Sequence, residues 1–260
     1  MEVSVKKDGR KAAVKIHRPT LSGSALKVLA LASMTCDHAA KAFVQPWPWL
    51  RDVLFRAFGH DVSWFGLMTG FGRMAFPLFA FLAVEGFIHT RSRMRYMLAM
   101  LAAAAVSEPC FDFAFSGMAV CPDMQNVLFT LVAGLAAILA ISFARGLSPE
   151  DRHHGIKAAG AMAAVALCLF GAWRLHFDYG ARGVAFMLLL YMARGNTPER
   201  AVVGSCVLPD TWKAGLAFIP IAMYDGKRGF IKSPFLKYAF YAYYPVHLFV
   251  LRVVSDWPFL

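Results

Sequence analysis

The sequence predicts an all-α fold, a polytopic transmembrane helix bundle of about 8–9 spanning or partly spanning segments, and three observations carry that prediction. Hydrophobic residues make up 58% of the 260 and charged ones 17%, outside the usual range of soluble domains. The mean hydropathy is +0.51. Apolar runs close to the ~20 residues that a bilayer crossing needs recur along the chain, with most Lys and Arg in the short gaps between them. That dispersal argues against nucleic acid as the reason for a net charge of +11, since no basic stripe or reader motif forms. Cys36, Cys110, Cys121, Cys168 and Cys206 show neither Cys-x-x-Cys nor a zinc spacing, so no metal is expected. Cys110 and Cys121 flank one loop, but the reading favours unpaired thiols.

Taken in order, residues 1–23 carry Lys6, Lys7, Arg10, Lys11, Lys15 and Arg18 with hardly an apolar run. They read as a basic cytoplasmic tail on anionic lipid rather than a signal peptide, and residues 24–260 as one transmembrane domain. The first span, Ser24 to Val44, is long enough to cross yet holds Asp37, His38 and Lys41. A charge at the centre of a spanning helix costs about 2.5–3.5 kcal/mol on insertion scales, so this span reads as a site rather than an anchor. Lys27 and His38 fall on one face, roughly 20° apart around the helix and about 16 Å apart along it. Trp47 to Trp64, with Arg51, Asp52, Arg56, His60 and Asp61 between, suits an interfacial segment along the outer surface. A second span, Leu67 to Ile88, contains Arg73 and Glu85, with Pro77 placed to kink it. Glu85 and His89 are spaced to pair at its inner end.

The basic gap His89–Arg95 follows, then apolar runs at Tyr96–Phe115, Met124–Phe143 and Ile156–Leu175. The loop Ser116–Asp123 has no Lys or Arg and reads as outside, whereas Arg145, Arg152 and Lys157 read as inside. His176 to Gly183 leads into a short run ending at Met192. Residues 200–224 are interrupted by Pro209, Asp210 and Lys213. Charge bias favours two short segments there, which keeps Lys227, Arg228, Lys232 and Lys237 inside. The last span, Phe235 to Val254, contains Tyr243, Tyr244, His247 and Arg252.

A single histidine in an apolar helix is usually a packing residue. Here one lies in the first span and one in the last, and terminal helices of a bundle are commonly neighbours, so His38 and His247 point to a shared polar centre. Neutral imidazole is the natural base for taking a proton from an attacking amine or hydroxyl. Arg91, Arg93 and Arg95 serve equally as a translocation stop signal or as guanidinium forks for phosphate. Arg73 needs a counter-charge, for which Asp37 and Glu85 are the candidates. Nothing in the chemistry of the Asp178-Tyr179-Gly180 turn alone excludes a simple loop.

The blocks SALKVLALASMTCDHAAKAF, GRMAFPLFAFLAVEGFIHTRSRMRY, FDYGARGV, YDGKRG and FYAYYPVHLFVL, in that order, resemble the motif blocks of TraX-type membrane proteins. The family's named member acetylates the N-terminal amine of conjugative pilin. The resemblance therefore implies a bacterial inner-membrane acetyltransferase with a cytoplasmic N-terminus, acetyl-CoA as co-substrate, and a pilin-like peptide or small molecule as acceptor. The chain is also similar, more weakly, to the acyltransferase-three family of integral membrane acyltransferases. That family has Arg-x10-His in its first helix, where this chain has Lys27 and His38. It also has Phe-Leu-x-x-Ser-Gly-Phe, where Glu85 here replaces Ser. On these resemblances His38 is the base oriented by Asp37, with His247 and Tyr244 completing the catalytic set. Arg91, Arg93, Arg95, Lys27 and Arg73 are the cofactor contacts, with Arg73 also a candidate to steady an oxyanion. Asp178, Tyr179, Arg182 and Glu85 are the acceptor contacts. Direct transfer and an acetyl-histidine relay stay open, as do a transporter and a non-catalytic assembly factor.

Overall fold

The computed structural model describes residues 3–7, 10–14, 20–148, 150–194, 207–208, 211–231 and 233–257. Lys15, Arg18, Arg200, Cys206, Pro209, Asp210 and Lys232 of the sequence reading lie outside them. The helices are α1 (Gly23–Phe43), α2 (Trp64–Gly72), α3 (Ala75–His89), α4 (Arg93–Ser116), α5 (Val127–Arg145), α6 (His154–Arg174), α7 (Gly180–Met192), α8 (Thr211–Gly215), α9 (Phe218–Ala222) and α10 (Pro234–Ser255). Their starts follow from local chemistry: Ser22, Ser63, Ser92, Asn126 and Ser233 each accept a first-turn backbone N–H. An all-α bundle is thus the main architecture. Two antiparallel hairpins accompany it, β1 (Val3–Lys7) with β2 (Arg10–Val14), and β3 (Val53–Ala57) with β4 (His60–Ser63).

Among the described residues, four helical stretches are long and apolar enough to cross a membrane: Trp64–His89 taken as one, α4, α5 and α6. At 21 and 22 residues, α1 and α10 have the length, but charged and polar side chains interrupt their apolar runs. α7 to α9 are shorter than a crossing. The second span departs from a single kinked helix. It breaks at Arg73–Met74, because Pro77 has no N–H to offer the Arg73 carbonyl four residues back, and α2 closes with Arg73 N–H on Thr69 O at 3.1 Å. The stretch expected to lie along the interface holds the β3–β4 hairpin. Ala57 pairs with His60 across a two-residue turn in which Phe58 and Gly59 both have positive φ, 51° and 78°.

α3 is the central helix. Phe76, Phe81 and Phe87 on it pack with Leu26 of α1, Leu135 and Ile138 of α5, and Phe186 and Met187 of α7. In lipid such contacts gain through close fit rather than escape from water. The close fit is clearest where α1 meets α2: a Cβ on Gly72 would come within 2.8 Å of Asp37 Oδ1, so only glycine allows the approach. α6 is peripheral and turns Ile156, Met162, Leu167, Phe170 and Trp173 outward, an apolar surface for lipid tails. The N-terminus of α1, the α3–α4 turn with Arg91, Arg93 and Arg95, and the loop with Lys227 and Arg228 share one end of the bundle. Gly23 N–H bonds Lys227 O at 2.8 Å there, and Tyr224 packs edge-on to Phe81 at 5.4 Å. That placement agrees with two short segments, rather than one helix, before the loop.

Candidate active site

The first and last long helices, α1 and α10, pack together and make the polar centre. His38 Nδ1 lies 2.8 Å from His247 Nε2, and the two rings are stacked with centroids 5.1 Å apart. The opposite nitrogen of His247, Nδ1, is 2.9 Å from the Tyr243 carbonyl oxygen. A carbonyl only accepts, so His247 Nδ1 carries a proton. Neutral His247 therefore presents a bare Nε2, which must accept from His38 Nδ1–H. The remaining nitrogen of His38, Nε2, is left with a lone pair. One backbone carbonyl thus fixes two tautomers in series. Asp37, expected to orient His38, is turned elsewhere on α1: its Oδ2 pairs with Lys41 Nζ at 2.5 Å, and Oδ1 has no hydrogen-bond partner among the described residues. The orienting contact to His38 comes from His247.

Aromatic rings wall the pair. Phe115 of α4 meets His38 edge-on at 5.5 Å, Tyr243 stacks on His247 at 5.1 Å, and Tyr244 is tilted to both rings. The Tyr243 hydroxyl is itself held by Thr35 Oγ1 at 2.7 Å. Tyr244 is buried and packs against Val127 and Leu128 at the start of α5, with Asp178 and Glu108 on its polar side.

Beside the histidines lies a second polar group. Arg73, at the break between α2 and α3, donates to the Tyr179 hydroxyl, and the Tyr179 ring stacks on Phe76 with centroids 3.9 Å apart. Lys41, Arg73 and Asp37 face Asp178. Burial in this connecting turn pushes the Asp178 carboxyl up to about 6, against the pull of Lys41. The turn itself is strained, with His176 and Tyr179 at φ 55° and 65°. It is stitched to the start of α5 by Gln125 N–H to His176 O at 3.0 Å and Asp178 N–H to Gln125 O at 2.9 Å.

The structure therefore divides the residues picked from sequence. His38, His247 and Tyr244 come together, and Asp37, Arg73, Asp178 and Tyr179 gather beside them. Arg91, Arg93 and Arg95 are exposed at the far end, where Arg93 lies over the Phe87 ring at 5.0 Å. Arg73 precedes α3 and Arg91 follows it, so the whole 15-residue helix, about 22 Å long, separates them, and Arg73 belongs to a different cluster. Glu85 likewise sits at the basic end, 3.7 Å from His89, and away from Asp178 and Tyr179. Arg182 is exposed, and Lys27 is half-buried in α1.

Sequence reading missed Glu108, Asp112 and Asn126. Glu108 Oε2 accepts from Asn126 N–H at 3.0 Å and from the Asn126 amide, and buried Asp112 accepts from Cys121 N–H at 2.8 Å. One further oxygen of each carboxylate is buried with no partner among the described residues. Carboxylates four apart in the apolar run Tyr96–Phe115 give the same signal that marked Asp37. Cys36, Cys110, Cys121 and Cys168 are free thiols.

The family description "TraX protein" matches residues 22–255, which takes in every helix and the whole polar centre. The chain belongs to the TraX family. A probable fimbrial assembly protein, FimC of serogroup H1, from Dichelobacter nodosus is 28% identical over 249 residues, 87% of this chain and 92% of that one. No solved structure matches. The family ties the chain to a membrane-associated group concerned with pilin processing and assembly, and the TraX match spans both histidines of the pair.

Proposed function

We propose that this TraX-family protein is a membrane acetyltransferase that takes acetyl from acetyl-CoA and passes it to an acceptor amine or hydroxyl. The observation that carries the reading is the histidine pair, a base whose free lone pair is set by a fixed chain of hydrogen bonds inside an apolar bundle. His38 Nε2 takes the proton from the acceptor N–H or O–H as that atom attacks the thioester carbonyl. The new C–N or C–O bond forms, the C–S bond breaks, and CoA leaves as its thiolate. Tyr244 O–H is the donor to the carbonyl oxygen as it becomes an oxyanion. Asp178, Arg73 and Tyr179 form the polar wall that the acceptor meets.

The basic end is the cytoplasmic end on the positive-inside rule, which puts the basic tail inside and has the cofactor approach from that face of a bacterial inner membrane. Lys27 and the arginines at 91, 93 and 95 then line the way, and His38 lies about 16 Å deeper than Lys27. The acceptor, a pilin-like peptide or small molecule, reaches the histidines from the opposite half. Purified protein with labelled acetyl-CoA and a pilin N-terminal peptide tests the reading: transfer should require His38, while His38→Ala keeps acetyl-CoA binding. The name of the fimbrial relative favours one other reading, a non-catalytic assembly factor. Under that reading His38→Ala leaves pilus assembly intact.

A further inference from the structure

The connection after α9, Tyr224 to Phe230, folds over the start of α1 and uses up that helix's first donors. Gly23 N–H bonds Lys227 O at 2.8 Å, Ser24 N–H bonds Arg228 O at 2.9 Å, and Ser24 Oγ–H bonds the same carbonyl at 2.7 Å. Ile231 N–H returns to Ser24 Oγ at 2.9 Å, and Asp225 Oδ1 accepts from Lys227 N–H at 2.8 Å. Gly226 and Gly229 supply positive φ, 76° and 85°, and a Cβ on Gly229 would sit 2.8 Å from Ser24 Oγ. The backbone at Lys227 and Arg228 is therefore fixed at both carbonyls, while both side chains are exposed. A loop that served only to hold positive charge inside the cell would not need a fixed backbone. The loop borders a cleft of about 530 Å³ lined by Ser22, Asp225, Lys227, Arg228, Gly229 and Phe230. Phe230 is 62% exposed, an aromatic face standing open beside two cations.

We propose that this cleft is the binding site for the phosphate-bearing nucleotide end of the co-substrate. Lys227 and Arg228 hold phosphate oxygens, the lysine as a point charge and the arginine through its planar fork, and Phe230 takes the base on its ring. The identity of the nucleotide, adenosine 3′,5′-bisphosphate as the terminal part of CoA, rests on the acetyl-transfer reading. The geometry fits it: Ser24 and His38 are both on α1, about 21 Å apart along the axis, so a ligand anchored here extends a thin arm toward the histidines. Arg91, Arg93 and Arg95 then lie beside that path rather than at its anchor. A phospholipid headgroup offers the same phosphate chemistry but no base for Phe230.

The test uses the full chain in phosphatidylcholine nanodiscs, titrated calorimetrically with adenosine 3′,5′-bisphosphate and with acetyl-CoA. Lys227→Gln with Arg228→Gln should weaken both probes by about tenfold or more, and Phe230→Ala by about fivefold or more. His38→Ala should change neither. These substitutions leave the backbone hydrogen bonds of the loop in place, and an unchanged melting temperature checks the fold. Equal affinity of wild type and cleft variants for both probes overturns the site while leaving acetyl transfer standing. Bisphosphate binding that is lost in the cleft variants, with no acetyl-CoA binding at millimolar concentration, upholds the cleft and removes the acetyl-CoA reading. An effect of the variants seen only as weaker retention of phosphatidylglycerol, with no bisphosphate binding, assigns the cations to lipid and overturns the nucleotide site.

Discussion

Replacing His247 separates orientation from base chemistry. His247→Leu removes the acceptor of His38 Nδ1–H, a contact of 2.8 Å in the polar centre of the bundle. An unsatisfied buried donor costs about 1–3 kcal/mol, and His38 can escape that cost by moving its proton to Nε2, the nitrogen that must stay bare. At 1.4 kcal/mol per factor of ten, the correct tautomer then falls by about 5- to 150-fold, and kcat with it. His38→Ala removes the base itself, which is worth about 10²- to 10⁴-fold. His247→Gln places an amide oxygen near the former Nε2 and should recover most of the loss. The assay is single-turnover transfer of labelled acetyl to a pilin N-terminal peptide, for wild type, both single variants, the glutamine variant and His38→Ala/His247→Leu. Because His247 acts through His38, the double variant should be no slower than His38→Ala. Fully additive losses, or a glutamine variant as slow as the leucine one, would refute the orienting role of His247.

Other outcomes follow from the same geometry. Gly72→Ala should lower the thermal midpoint in detergent, since its methyl meets Asp37 where α1 crosses α2, an overpacking worth about 1–3 kcal/mol. Tyr179→Phe should cost about 1 kcal/mol by removing the acceptor of the Arg73 guanidinium, read by chemical or thermal unfolding, and no loss would place that bond outside the folded state's energetics. Asp178 has a folded-state value raised to about 6, so its contribution to stability is full at pH below the ordinary carboxylate range and is lost as pH rises through about 6. Asp178→Asn should flatten that part of the melting-temperature profile between pH 4 and 7. A cysteine at exposed Lys227 should label only from the cytoplasmic side, and one at exposed Arg182 only from the opposite side; the reverse pattern would invert the orientation.

Charge in apolar runs was the most informative sequence signal. It located His38, His247, Asp37 and Arg73, all of which the fold gathers, because a polar residue in lipid must find a partner and partners accumulate in one place. The same signal at Glu108 and Asp112 was available and passed over among the alanines around them. The direction of Asp37 was not legible: adjacent residues on a helix point about 100° apart, so sequence neighbours rarely touch. The grouping of Arg73 with the arginines at 91, 93 and 95 failed for a related reason, since residue type says nothing about depth along a helix. The β3–β4 hairpin was hidden because its turn is Phe-Gly, with a non-glycine in a left-handed conformation, rather than the usual Asn-Gly. Helix limits, by contrast, were mostly within a few residues, since the apolar runs stop where the polar gaps begin.

The histidine contact joins positions 209 residues apart in the chain. Synthesis must therefore run from α1 through α10, and α10 must be seated against α1, before the lone pair on His38 acquires its direction. On the acetyl-transfer reading, chains in which α10 has not docked on α1 carry the base without its orientation. On that reading, two fragments divided at the exposed turn 118–120 after α4, expressed together, should restore transfer when neither alone does.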